Sequence, residues 1–281
     1  MYFKKNLFGL CLCFALISAS FNFCEASNHH QQKYSSLVVN IRTGKVLHQE
    51  FAGYLRNPAS LVKMMTLYMT FACIENHKLS MNQVLTVSKK AASQPRLNLD
   101  LKKGNKITVK EAILGLIVHS ANDAAVVLAE AIAGSEEKFS EIMTEEAKAL
   151  GMKNTTFKNA SGLPHSSQKS TAYDLAKLAI ALKRDFPQYF NLFSSTSFKY
   201  AGRVINTHNR VVKNYAWSDG LKTGYTRASG FNIVTSAKRG ENHLVGIVLG
   251  GETAVARDTK VVSLLNKYFK KLEENDTTTS G

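Results

Sequence analysis

Two hydrophobic periods run along this chain, and the change between them divides it. Ser36–Ile41 and Val46–Phe51 are short β-rich runs on either side of Thr43-Gly44, which predicts an antiparallel hairpin. Asn57 stands just ahead of Pro58, a pair suited to a helix cap and the first helical position. From Leu61 to Ile74 the chain is apolar almost all the way round, so a helix there is expected at the centre of the molecule. A short strand over Ile107–Val109 leads into a Thr108/Glu111 capping box and a helix to about His119. Further helices are predicted over Asn122–Ala133, from Ser135 onward with acids in the first turn, and from Thr171 to about Arg184.

After Phe198 the period shortens to two. Arg203–Thr207, Leu221–Tyr225, Gly230–Ala237 and His243–Leu249 read as strands, the last two joined as a hairpin through Lys238–Asn242. An amphipathic helix over 256–271 follows, and residues 273–281 read as a polar, disordered tail. The N-terminal hairpin and the C-terminal strands are expected to share one antiparallel sheet, with the helices of 60–185 on its faces, an α/β (α+β) fold. Periodicity gives neither strand order nor register.

Composition narrows the class. The 281 residues are 44% hydrophobic, enough for a large core and too apolar for a disordered chain. The net charge of +15 suits anionic surroundings. Residues 1–26 read as a signal peptide: Lys4 and Lys5 precede an apolar run of 11 residues, Leu7–Ile17, too short to span a bilayer, and small residues follow up to Ala26. The expected location is the bacterial periplasm or cell-wall space. Cleavage there removes Cys11, Cys13 and Cys24, leaving Cys73 as a small core hydrophobe and no disulfide framework. The histidines are dispersed without a His-Glu-x-x-His run, so no metal is expected. Basic pairs such as Lys89-Lys90 and Lys270-Lys271 lack aromatic interleaving, which argues against a nucleic-acid partner.

Three short segments carry candidate chemistry. Ser60 and Lys63 lie three residues apart, on one face of a helical turn, where an almost wholly apolar helix would desolvate the amine and lower its pKa. A serine needs such a neighbouring base to act as a nucleophile. Ser135–Lys138 repeats the spacing, but it opens an acidic amphipathic helix, and Ser135 reads as a cap. Ser120-Ala121-Asn122 falls at a break between helical pieces, where Ser120 suits a proton relay and Asn122 either an amide donor and acceptor or a cap. Lys222-Thr223-Gly224 lies in an extended run, with Lys222 and Gly224 expected on one side and Thr223 on the other. Its charge and hydroxyl suit a carboxylate, and Gly224 permits close backbone approach.

Ser-x-x-Lys, Ser-Asp-Asn and Lys-Thr-Gly in this order form the signature of penicillin-binding proteins and class A β-lactamases, and this chain shows it with the variant Ser-Ala-Asn as the second piece. With NPASLVKMMT at 57–66, GLIVHSANDAA at 115–125, NASGLP at 159–164 and SDGLKTGYT at 218–226, the chain resembles a serine-type D-alanyl-D-alanine carboxypeptidase over roughly 32–272. The resemblance implies a β-lactamase/transpeptidase-like fold, a five-stranded antiparallel sheet packed between helices with a mostly helical subdomain. It implies Ser60 as nucleophile, Lys63 as base, and Ser120 and Asn122 on the facing wall. Lys222, Thr223 and Gly224 would hold substrate, and the backbone N–H groups of Ser60 and Tyr225 would form the oxyanion hole. No cofactor is implied. The implied partners are peptidoglycan stem peptides and, as covalent inhibitors, β-lactam antibiotics.

Alternatives stay open at this point. A DD-endopeptidase or transpeptidase would use the same residues. A class A β-lactamase needs a Glu in a loop between the second and third motifs; the Glu residues of that interval, from Glu130 to Glu146, fall in predicted helices, and none occurs from Ala147 to Lys222. The non-enzyme alternative is a basic cell-wall-binding module. Only 59 residues follow Lys222, so the second β-domain of related carboxypeptidases is not expected, membrane contact is left open, and a monomer is favoured. His119 reads as a structural or site-tuning histidine; Trp217 either walls the cleft or packs.

Overall fold

The computed structural model describes residues 33–279, so the expected signal peptide lies outside the described residues. Strands β1 (Ser35–Asn40) and β2 (Val46–Glu50) form the expected hairpin. β1 then pairs with the chain's last strand, β9 (Asn242–Gly251), which runs beside β8 (Gly230–Arg239) and β7 (Ser218–Thr226). The five-stranded antiparallel sheet therefore has the order β2-β1-β9-β8-β7, with β7 on one edge. Two-residue alternation sends Leu37, Val234 and Ile247 to one face and Val38, Ile233 and Val248 to the other.

The first face packs on the helical block. Its axis is α1 (Lys63–Glu75), where every residue from Lys63 to Phe71 is buried, as the absence of a polar face required. Around it lie α2 (Val109–Leu114), α3 (Asn122–Ala133), α4 (Glu136–Ala149) and α5 (Ala172–Asp185). Their starts are set by local chemistry. The Thr108/Glu111 capping box is complete, and the Ser135 and Thr171 side chains accept the N–H groups of Lys138 and Asp174. The second face is covered by Val261, Leu264, Leu265 and Phe269 of α6 (Ala254–Thr279).

Four expectations need correction. Asn57 caps nothing: its Oδ1 accepts from Lys169 Nζ at 2.6 Å, and the chain enters α1 through a single 3-10 turn, Ala59–Val62, behind Pro58. The closing helix outruns 256–271 and takes in most of the segment expected as tail, because Arg239 pairs with Glu273 at 2.8 Å and Lys270 with Glu274 one turn on. Arg203–Asn206 (β6) pairs with an unforeseen strand, Ser197–Tyr200 (β5), in a separate ribbon, as β3 (Val84–Thr86) does with β4 (Lys106–Thr108). The helix begun at Val109 widens into a π-turn over Gly115–His119, which throws Ser120 into a left-handed conformation with φ of 60°.

Candidate active site

The three motifs meet. Ser60, Ser120, Asn122, Thr223, Gly224 and Tyr225 line one cavity of about 420 Å³ between the helical block and the β7 edge. Ser60 sits in the 3-10 turn, just after Ala59, which is held at a φ of 50°, a left-handed value rare for a residue with a side chain. Lys63, one turn on, is wholly buried, and its amine finds three oxygens: Ser60 Oγ at 3.3 Å, Asn122 Oδ1 at 2.7 Å and the Ser161 carbonyl at 2.5 Å. Burial pushes its pKa well below the ordinary lysine value, and the charge of Lys222 adds to the shift; Asp123 and Glu136 oppose it. The net effect favours a neutral amine with a lone pair beside a serine hydroxyl.

Ser120 faces this pair across the cleft. Its Oγ is buried and has no hydrogen-bond partner among the described residues, although an unsatisfied hydroxyl is costly. Asn122 is no cap: it spans the gap, its amide oxygen on Lys63 and its Nδ2 donating to the Pro95 carbonyl at 2.9 Å. Thr223 and Gly224 both line the cleft, and the ladder with β8 is unbroken from Gly220 to Thr226, so the alternation expected of that strand holds there. Lys222 lies buried behind them, its ammonium on the Thr223 carbonyl at 2.8 Å and its pKa pushed down to about 7 by burial and by Arg257. A Cβ at position 224 would stand 2.9 Å from the Ser60 amide nitrogen, so only glycine lets the strand lie against the serine turn. The opposite lip is equally tight: Gly162 has a φ of 86°, and a Cβ there would come within 2.0 Å of the Ala59 carbonyl. Tyr225 is exposed and packs its ring on that of Phe231, with centroids 4.2 Å apart, and both residues line the cleft.

Several lining residues escaped the sequence reading. Arg257 is buried at the cleft wall, its Nη1 donating to the Asn232 carbonyl and its other nitrogens to Asp258 Oδ1. A signal existed: Arg257 falls on the face of α6 that carries Val261, Leu264 and Leu265, where a charged residue is out of place. His208 also lines the cleft, crowded by Lys222 and Arg257, and burial leads the causes that push its pKa down to about 4. Nothing in its sequence context pointed to it.

A model of the D-alanyl-D-alanine carboxypeptidase family, peptidase S11, matches residues 23–253. The chain belongs to this family. It is 35% identical over 251 residues to D-alanyl-D-alanine carboxypeptidase DacF of Bacillus subtilis, covering 87% of this chain and 64% of that one. It thus spans less than two thirds of that curated relative's length. A D-alanyl-D-alanine endopeptidase of Haemophilus influenzae is 30% identical over 275 residues, 95% of this chain and 87% of the relative. Among solved structures, penicillin-binding protein D2 of Listeria monocytogenes in its cefotaxime-bound form superposes with a TM-score of 0.77 at 28% identity, over 84% of this chain and 96% of that one. The fold is thereby that of the penicillin-binding proteins, as the motifs implied.

The remaining singled-out residues lie apart in this carboxypeptidase-family chain. Trp217 is 45% exposed beneath the Arg239 guanidinium and is not among the residues of the cleft wall. His119 is half-buried, bonds the Asn98 backbone, and has its pKa lowered by burial. Cys73 is a free thiol packed half-buried against the main core, its pKa raised by desolvation. Among the described residues no three His, Cys, Asp or Glu side chains converge to hold a metal, and no helix is long and apolar enough to cross a membrane.

Proposed function

We propose that the chain is a serine-type D-alanyl-D-alanine carboxypeptidase that removes the terminal D-alanine of peptidoglycan stem peptides and is acylated by penicillins. The observation that carries the reading is the buried, pKa-depressed amine of Lys63 at 3.3 Å from Ser60 Oγ. Neutral Lys63 takes the Ser60 proton as Oγ attacks the carbonyl between the two D-alanines. The Ser60 and Tyr225 N–H groups meet the developing oxyanion, each such donor typically worth about 2.7–4 kcal/mol in acyl transfer. The proton passes to the departing amine through Lys63 or Ser120, the C–N bond breaks, and D-alanine leaves. Water then attacks the Ser60 ester, with the same groups taking and returning its proton. Arg257, Lys222 and Thr223 supply the positive charge and hydroxyl that the terminal carboxylate needs.

The same site serves a DD-endopeptidase, and the endopeptidase relative that matches nearly end to end favours this second reading. Mass spectrometry separates the two: a synthetic pentapeptide loses one D-alanine under the first, while a cross-linked stem-peptide dimer is cut under the second. If neither substrate changes and a fluorescent penicillin fails to label Ser60, the chain is a basic wall-binding module. Export to the periplasm or cell-wall space follows from the leader pattern, and an intact N-terminus on the mature protein would contradict it.

A further inference from the structure

A second cavity of about 290 Å³ adjoins the catalytic cleft across Gly162, Leu163 and Thr226, which line both. Its polar wall includes Lys169, Gln168 and Asn57. The Gln168 amide is spent on the Leu163 carbonyl and the Lys158 amide. Lys169 is different: it is half-buried, its backbone is paired with Thr156 in both directions, and among the described residues its ammonium meets only the neutral Asn57 Oδ1. No carboxylate among the described residues pairs with it. A partly desolvated ammonium left on a neutral partner retains most of its capacity for an anion.

Direction along β7 says what reaches this cavity. Arg257, His208, Ser120 and Thr223 line the catalytic cleft and not the second cavity, whereas Thr226 and Ala228 line the second. A peptide whose terminal carboxylate is held at Thr223 and Arg257 therefore runs antiparallel to this edge strand. Three residues of strand are about 10 Å, enough to bring the residue before the D-alanine pair to Thr226.

We infer that the second cavity is an acyl-side subsite in which Lys169 recognises a carboxylate on the side chain preceding D-alanyl-D-alanine. This rests on the proposed function and adds a substrate class to it. The test uses N-acetyl-L-Glu-D-Ala-D-Ala and its isosteric Gln counterpart, with D-alanine release as the readout. The Glu peptide is expected to have a kcat/KM about tenfold higher, through KM, as one partly buried charged contact allows. The Glu/Gln ratio should collapse toward one in Lys169→Met, persist in Lys169→Arg, and shrink with added salt in the unaltered protein. A ratio of one or below in the unaltered protein, or one unchanged in Lys169→Met, overturns the subsite. If Lys169→Met loses penicillin labelling and is misfolded, the ratio and its salt dependence in the unaltered protein decide. Equal release from both peptides sinks the subsite alone; no release together with no penicillin labelling sinks the proposed function as well.

Discussion

Ser60–Lys63 and Ser135–Lys138 are the same motif by spacing and opposite in fate. At the second, Ser135 takes up the extended conformation of an N-cap and spends its hydroxyl on the Lys138 backbone N–H at 3.2 Å, while the lysine side chain stands in water. At the first, the serine side chain is left facing a cleft and the lysine is enclosed completely. The acids that favour the start of α4 have no counterpart in the first turn of α1. The difference lies in what surrounds the pair: an amphipathic helix solvates its lysine, and an apolar one strips it and lowers its pKa.

That contrast can be broken in order of effect. Ser60→Ala is expected to abolish covalent penicillin labelling, and Ser135→Ala to leave it intact, as read on a fluorescent gel; labelling that survives Ser60→Ala would end the comparison. Lys63→Ala should slow acylation by about 10²–10⁴-fold, the usual contribution of a positioned base, while Lys138→Ala should leave the rate where it was. The pH profile sharpens the point. Lys63 must be neutral to accept the proton, so the acylation rate falls as pH drops through its depressed pKa. Lys222 helps to depress it, and Lys222→Met should move that acidic limb to higher pH, measured by stopped-flow labelling. The smallest effect belongs to the cap: Ser135→Ala should cost about 1 kcal/mol of stability in urea melts without changing the labelling rate.

Legibility followed range. Helix starts at Thr108, Ser135 and Thr171 could be read because a cap bonds within three residues of itself. The burial of Lys63 was legible too, since an all-apolar helix has only one place to go. Asn57 misled because its local geometry fits a cap, whereas its partner, Lys169, lies 112 residues away. Arg257 was visible as a charge on the buried face of α6, but its use required the Asn232 carbonyl and Asp258 to hold it. Ser161 acts through a backbone carbonyl, which every residue has, so side-chain identity carried no signal.

By itself the sequence determined most of the elements, the apolar axis and the candidate reactive groups, because periodicity, capping and desolvation are properties of neighbouring residues. Only the tertiary structure decided that β7 lies at the sheet edge, that Gly224 lets it touch the serine turn, and that residues 60, 120 and 223 share one cleft. Strand order and long-range approach depend on how whole faces pack, and no local run of residues encodes that.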